Sequence, residues 1–264
     1  MKKIIGIIMT VVIAATITGC SIRFGIKEDN VEYGDVGNIN ESIPINDEKE
    51  LSIELSVGLV NVIGYDGDEV IVSGKTNRGA DCIKLTKDNN EIKVIDKNKD
   101  NYNFNVFKNN DGDKTDIEIK IPNKFKGNIE FSYGLAEAKV KNLACDELKI
   151  DGGAGQLNIN DISFKKLDFD GGVGETTIKL SEKSGDIKIE GGVGEIDIEL
   201  EEVGGNLIYE GGVGEAKIKI PKNSPVYFNT SSGIGSTNIS AITSGENTYK
   251  FTLEVGIGEI EVYN

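Results

Sequence analysis

The feature that most constrains the fold is a five-residue repeat. The sequence Gly-Gly-Val-Gly-Glu occurs at residues 171–175, 191–195 and 211–215. Weaker copies begin at residues 133, 152, 232 and 255, and the fourth residues of the seven copies follow one another at steps of 19, 19, 20, 20, 21 and 23 residues. Such a period is typical of repeat architectures, in which units too small to bury a core alone stack on one another.

Each repeat has two arms in which apolar and polar residues alternate. In the clearest repeat, Ile187 and Ile189 precede the glycines, and Ile196, Ile198 and Leu200 follow them. This alternation has the period of a half-buried β-strand, and no segment after the first twenty residues has the pattern of an amphipathic helix. We therefore predict an all-β fold, a β-solenoid of stacked parallel coils with a period of about 20 residues. The alternative is a large antiparallel β-sandwich, since two-armed units of this length could also form hairpins.

The glycine box predicts a corner between the two arms. The apolar phase slips by one residue at Gly194, and glycine permits a bend there because it adopts positive φ without steric cost. We expect the valine of each box to point inward at this corner as a stacked core residue: Val173, Val193 and Val213. The same alignment places Lys179, Glu199 and Lys219 in one column of alternating charge, which is a favourable cross-strand arrangement.

Two columns of acidic residues are predicted beside the corner. One precedes the glycines and contains Asp151, Asp170, Glu190 and Glu210; the other follows them and contains Gln156, Glu175, Glu195 and Glu215. Stacked carboxylates repel each other, and a hard cation such as calcium would relieve that repulsion. The candidate cation-binding residues are Asp170, Glu175, Glu190, Glu195, Glu210 and Glu215. The alternative is a solvated face, interleaved with lysine, that opposes edge-to-edge aggregation.

The first twenty residues predict an export signal with a lipid attachment site. A basic start at residues 1–3 and an apolar run at 4–17 precede Thr18, Gly19 and Cys20. The run is too short to span a bilayer comfortably and suits a signal peptide. The small residues before Cys20 resemble the bacterial lipobox, in which the cysteine is acylated and becomes the N-terminus. We predict a signal peptide at 1–19, lipidated Cys20 and a flexible tether at 20–50, and a β-domain at 51–264, lipid-anchored on the extracytoplasmic face of the cell membrane.

Composition argues against several functional classes. The chain has 29 Lys and Arg residues against 44 Asp and Glu, a formal net charge of −15, which disfavours nucleic-acid binding. It has no histidine, which excludes histidine metal sites and the usual Ser-His-Asp and Cys-His pairs. No cofactor is predicted. We expect Cys82 and Cys145 to be buried and unpaired, with a disulfide between them as the alternative.

Several segments together resemble a known family. They are Gly-Leu-Val-Asn-Val at 58–62, Gly-Tyr-Asp-Gly-Asp-Glu-Val at 64–70, Ile-Glu-Ile-Lys-Ile-Pro at 117–122 and the repeated Gly-x-Gly-Glu boxes. Over residues 51–264 the pattern resembles the bacterial "putative adhesin" domain of unknown function and the related toast-rack repeats of Gram-positive envelope proteins. The resemblance implies a β-solenoid on the cell surface with a role in adhesion or envelope sensing, and it implies no catalytic residue.

The sequence thus favours a membrane-tethered lipoprotein that acts as an adhesion or interaction module, with an envelope protein or polysaccharide as partner. The alternative is an envelope-stress component, sensing or regulatory, that binds another membrane protein. An enzyme acting on polysaccharide ranks third. Two carboxylates suffice for glycoside hydrolysis, but the acidic residues here recur once per repeat, whereas an active site would interrupt the pattern once.

Overall fold

The computed structural model describes residues 37–97 and 114–264, and all regular structure in these residues is β. The predicted all-β class is therefore confirmed. Within the same two ranges there is no helix long and apolar enough to cross a membrane. The predicted signal peptide and the predicted lipidation site at Cys20 lie outside the described residues.

The first six strands form the amino-terminal end of the sheet. They are β1 (Gly37–Pro44), β2 (Glu50–Tyr65), β3 (Glu69–Thr76), β4 (Ile83–Asp88), β5 (Glu91–Asp96) and β6 (Thr115–Pro122). Strand β2 is parallel to β5 through its first half and to β6 through its second half. Three antiparallel pairs complete this end: β1 with β3, β3 with β6, and β4 with β5.

Strand β1 lies within the segment predicted as a flexible tether. Ile39 is buried, and the strand pairs with β3 along its whole length, so residues 37–44 of the predicted tether form part of the sheet. The alternation in β1 is interrupted in sequence by Glu41, which shares the phase of Ile39 and Ile43. Glu41 is exposed, and its carboxylate accepts a hydrogen bond from the backbone N–H of Leu85 at 2.8 Å.

Ten further strands carry the repeats. They are β7 (Asn128–Lys141), β8 (Glu147–Asn160), β9 (Lys166–Asp170), β10 (Val173–Lys183), β11 (Asp186–Glu190), β12 (Val193–Glu202), β13 (Leu207–Glu210), β14 (Val213–Lys219), β15 (Val226–Ile239) and β16 (Tyr249–Tyr263). Every pair among them is parallel. Parallel pairing of successive repeats is the arrangement of stacked coils, and it contradicts the antiparallel sandwich for this part of the chain.

The core consists of apolar columns along the inner faces of the two arms. On the first arm, Ile150, Phe169, Ile189 and Tyr209 occupy one register column and are buried. On the second arm the corresponding column is also buried and is formed by Ile159, Ile178, Ile198, Ile218 and Val262. Because each coil adds one residue to every column, the stack buries a continuous core that no single repeat could form.

The last two coils are not stacked in the order of the chain. Strand β16 pairs with β13 and β14 on one side and with β15 on the other, so the spatial order at this end is β14, β16, β15. Strand β16 carries the buried residues Phe251, Leu253, Val255, Ile260 and Val262. The sequence of β15, by contrast, is rich in Ser, Thr and Asn. The more apolar strand therefore takes the inner position, and the polar strand takes the edge.

Cys82 and Cys145 are both buried free thiols, which confirms the expectation that they are unpaired. Burial raises the pKa of Cys145 to about 12 and also raises the pKa of Cys82. A thiol with a raised pKa stays protonated and is a poor nucleophile.

We therefore expect neither thiol to react with iodoacetamide at about pH 8 in the folded protein, and both to react after denaturation. The measurement is intact mass of the Cys20→Ala chain, which has only these two thiols, before and after addition of guanidinium chloride. Rapid labelling of the folded chain would contradict the burial of both thiols.

Candidate interaction surface

The glycine boxes lie where the two arms of each coil diverge. Strand β8 runs through the corner without a break, pairing with β9 through residues 147–151 and with β10 through residues 154–160. In the next three coils the Gly-Gly pair separates the strands of the two arms, and β16 pairs with both arms again. Gly194 has a φ of 143°, and its equivalents Gly174 and Gly214 have φ values of 145° and 142°. The positive φ predicted for Gly194 is confirmed, but the break between the arms lies at the Gly-Gly pair, two residues earlier than predicted.

The prediction that the box valines point into the core is wrong. Val173 is 57% exposed, and Val193 and Val213 are only half-buried. The reason is that Val193 is the first residue of β12 and follows the alternation of that strand, in which Ile196 and Ile198 face inward. The phase changes at the Gly-Gly pair, before the valine, so the valine faces outward with Glu195.

The outward valines belong to a longer row, which we call the apolar column. It has one residue on each of seven adjacent strands: Leu135, Ala154, Val173, Val193, Val213, Ile257 and Ile234. At one strand spacing per step the column is about 29 Å long. Leu135, Val173 and Ile257 are exposed, and Ile234 at the end is 76% exposed. A contiguous apolar row with four exposed members is typical of an interaction site.

A shallow recess, open to solvent, lies beside the column. Its wall consists of the glycine boxes, the column valines, Thr176, Ile196 and the aromatic side chains of Tyr133, Phe169 and Tyr209. Burial raises the pKa of Tyr133 to about 12 and raises that of Tyr209 too, so both phenols stay neutral. The recess is therefore uncharged, and glycine backbone groups rather than the buried aromatic rings form much of the surface that it offers.

The two acidic columns exist in the predicted register and are longer than predicted. Glu254 continues the column of Asp170, Glu190 and Glu210, and Glu259 continues the column of Glu175, Glu195 and Glu215. The two additional residues come from β16, which follows β14 in space although β15 follows it in sequence. Both columns flank the apolar column on the outer surface, and their members are exposed or half-buried.

Lysines on the same strands accompany several of these carboxylates. Lys149 lies 3.6 Å from Asp151, Lys188 forms an ion pair with Glu190, and Lys217 lies 3.8 Å from Glu215. Each lysine is two residues from its partner and therefore on the same face of the strand. No group of three or more Asp, Glu or Cys side chains within residues 37–97 and 114–264 has an arrangement that could hold a metal ion. The cation site at Asp170, Glu175, Glu190, Glu195, Glu210 and Glu215 stays a prediction.

The predicted column of alternating charge is confirmed. Lys179, Glu199 and Lys219 are register partners on β10, β12 and β14. The Nζ atom of Lys179 is 3.8 Å from the carboxylate of Glu199, and Lys219 donates a hydrogen bond to the same carboxylate. This hydrogen bond, with the positive charge of Lys219, lowers the pKa of Glu199.

The fold and this surface define a class: a parallel stack of β-coils with an outward apolar column between two acidic ones. The model of the Toastrack DUF4097 family matches residues 48–256, and the chain belongs to that family. The predicted resemblance to toast-rack repeats is thereby confirmed. No curated protein sequence matches the chain.

Solved structures of similar fold include two proteins named for adhesion. A "putative adhesin" from Bacteroides fragilis is 17% identical, with a TM-score of 0.55 over 85% of this chain and 96% of that one. A "putative cell adhesion protein" from Clostridium sporogenes is 15% identical, with a TM-score of 0.45 over 86% of this chain and 99% of that one. At these identities the first similarity shows the fold alone.

Proposed function

We propose that this protein is a lipoprotein tethered to the cell membrane through Cys20, on the extracytoplasmic face, where its β-solenoid of about 20 residues per coil acts as an adhesion or interaction module. The proposal rests on the lipobox-like sequence before Cys20 and on the apolar column. The name of the Bacteroides fragilis relative supports an adhesion-like role for this chain and is not that of an enzyme.

The single observation that carries the proposed binding role is the apolar column. A row of apolar side chains about 29 Å long, held at one strand spacing and with four exposed members, lies on a chain that is otherwise strongly charged. Burial against a partner would remove this area from water and stabilise a complex. The carboxylates on both sides favour a partner whose apolar ridge has a basic rim, because such a rim complements their charge.

These features favour a protein partner in the envelope over a neutral polysaccharide. The same surface would serve the alternative role, in which the chain is an envelope-stress sensing or regulatory component that binds another membrane protein. A polysaccharide-acting enzyme receives no support from the recess, whose wall is made of glycine, valine, isoleucine, threonine and aromatic residues.

The tether is tested by the Cys20→Ala variant. We expect wild-type cells to incorporate an alkyne-labelled fatty acid into the protein and to retain it in the membrane fraction. The variant should incorporate no label and should be either released or retained as an unprocessed precursor. Equal labelling and equal mature mass in both strains would contradict the lipid anchor.

The binding role is tested by making the apolar column polar in the full chain. We compare wild type with the Val173→Ser and Ile257→Ser double variant after chemical crosslinking in intact cells, and we quantify the envelope proteins that copurify. Each buried branched side chain contributes about 1.5–3 kcal/mol, so we expect at least a tenfold loss of crosslinked partner.

The matched control is Ile208→Ser, which removes an exposed branched side chain from β13, outside the column. It should leave the recovery of the partner unchanged. Equal recovery from wild type and the double variant would contradict the proposed binding surface, provided that the three chains reach the membrane in equal amounts.

A further inference from the structure

The open edges of the sheet differ in how they are protected. Edge strand β1 carries Glu41 and Pro44, and β4 carries Lys84, Lys87 and Asp88. These two strands also face each other, since Glu41 on β1 accepts the hydrogen bond from the backbone of Leu85 on β4. Charges, proline and mutual cover are devices that prevent further strand pairing.

Strand β15 has none of these devices. It is a 14-residue strand that pairs only with β16 among the described residues, so its other edge presents backbone N–H and C=O groups along its length. Residues 223–245, which contain the whole strand, have no charged side chain, in a chain of which 28% is charged. A long uncharged edge strand is a template for pairing with another strand.

The same segment concentrates exposed apolar side chains. Of the eight large hydrophobic residues that are exposed within the described ranges, four belong to it: Tyr227, Ile234, Ile239 and Ile242. Ile234 is the most exposed of the eight and lies close to the midpoint of β15. The edge therefore combines unpaired backbone groups with apolar side chains.

We propose that the edge of β15 is a dimer interface in which two copies of this chain pair edge to edge. A two-fold axis perpendicular to the sheet would set the two β15 strands antiparallel and continue the sheet from one copy into the other. Each copy then supplies the same patch, and residue pairs across the axis are symmetric.

The distribution of charge favours a second copy of this chain as the partner that pairs with the edge of β15. With a net charge of −15, two copies repel each other across most orientations. A two-fold contact places identical surfaces face to face, so it is compatible only with a patch that does not repel itself. The uncharged segment at residues 223–245 is such a patch. A basic partner, by contrast, would gain nothing from an uncharged edge and would favour the acidic faces.

This dimer would also extend the apolar column. Ile234 ends the column and lies near the proposed axis, so the columns of the two copies would meet there in one continuous row. The inference goes beyond the proposed binding role, since dimerisation through β15 does not depend on what the remainder of the column binds.

The experiment measures the mass of the full chain by light scattering, for the lipidated protein in detergent and for the Cys20→Ala variant without detergent. We expect a dimer in both, and a dimer that becomes tighter as sodium chloride is raised, because salt screens the repulsion between the acidic copies. We expect the Ile234→Lys variant to weaken dimerisation at least 100-fold, since it places like charges on both sides of the axis.

The matched control is Val173→Lys, which makes the same change in the apolar column at an exposed site on an inner strand. It should leave the dimer intact. A second edge variant, Tyr227→Lys, should also yield monomers, and circular dichroism should show that every variant is folded. A dimer that survives both edge variants would overturn the proposal. A monomeric wild type would overturn it too, and it would be expected if another segment of the same chain covers β15.

Discussion

Replacing Asp96 by alanine is expected to lower the free energy of unfolding by about 3–5 kcal/mol, enough to unfold much of the chain. The Asp96 carboxylate is completely buried and lies 2.7 Å from the guanidinium of Arg78, which is itself only 8% exposed. It also accepts a hydrogen bond from the backbone N–H of Ser56 at 3.3 Å. Alanine would remove the counter-charge and leave the guanidinium in the core without it.

The effect is large because this ion pair belongs to a polar cluster that joins several strands. The Nε–H of Arg78 donates to the hydroxyl of Thr115 on β6 at 3.3 Å, and that hydroxyl lies 2.9 Å from the hydroxyl of Thr76 on β3. Asp96 ends β5, and Ser56 lies in β2. The cluster therefore connects four strands at the amino-terminal end of the stack, and loss of one member disturbs all four.

Two controls separate this explanation from a general effect of removing charge. Asp81 forms an ion pair with Lys97 at 3.4 Å but is 89% exposed, so Asp81→Ala should change stability by less than about 1 kcal/mol. Combining Asp96→Ala with Arg78→Met should restore much of the loss, because neither charge then remains buried. Urea unfolding measures all four chains. A single Asp96→Ala variant within about 1 kcal/mol of wild type would contradict the argument.

The stack could be predicted from the sequence because equivalent positions of successive repeats are expected to pair with each other in the sheet. Equivalent positions of the glycine boxes pair directly in the sheet, and the same alignment correctly placed Lys179, Glu199 and Lys219 in one column. A polar residue that recurs at a fixed slot can be assigned to a column without knowledge of the coil geometry. The acidic columns beside the corner were predictable for the same reason.

The direction of the box valines could not be predicted in this way. Alternation assigns a face to a residue only within one strand, and Val193 lies next to the junction of two. Whether Val193 follows the alternation of the first arm or of the second depends on where in the box the alternation shifts by one residue. The sequence offers three glycines at 191, 192 and 194 for that role. Only the backbone shows that the Gly-Gly pair changes the phase before the valine.

The order of the last coils was hidden for a different reason. Both β15 and β16 contain a Gly-Ile-Gly segment that can pair with β14, so the repeat alone does not distinguish them. Burial does: β16 supplies Phe251 and Leu253 to the core, whereas β15 leaves Tyr227 and Ile234 exposed. A comparison of the polarity of the two segments was the available signal. The same reasoning identifies β15 as the open edge.

Replacing Gly194 by alanine is expected to lower the free energy of unfolding by at least about 3 kcal/mol, although the change adds a single methyl group. Two costs combine at this position. The φ of 143° is one that residues with a Cβ atom rarely adopt. In addition, the new Cβ would lie 1.8 Å from the carbonyl oxygen of Gly174 in the adjacent coil. That atom belongs to the backbone and cannot rotate away.

The glycine boxes of successive coils approach each other equally closely through the stack. A shift that relieves a clash at one coil would therefore create strain at the next. A Cβ at Gly174 would lie 1.8 Å from the carbonyl oxygen of Gly155, and a Cβ at Gly214 would lie 1.8 Å from that of Gly194. Moving one box to accommodate alanine would stretch the parallel hydrogen bonds on both sides. For this reason we expect the loss to appear as lower stability of the whole domain, measured as the midpoint of urea unfolding.

Gly245→Ala is the control for a positive-φ glycine that has no close neighbour. Gly245 also has positive φ, 81°, but a Cβ there would have no atom within 4 Å. The backbone cost alone should therefore destabilise this variant by about 1–2 kcal/mol. The difference between the two variants measures the steric cost of a methyl group between coils together with the added backbone cost of a φ near 143°. If Gly194→Ala were no less stable than Gly245→Ala, close packing of the coils at the glycine boxes would not be what requires glycine there, and positive φ alone would explain the repeat.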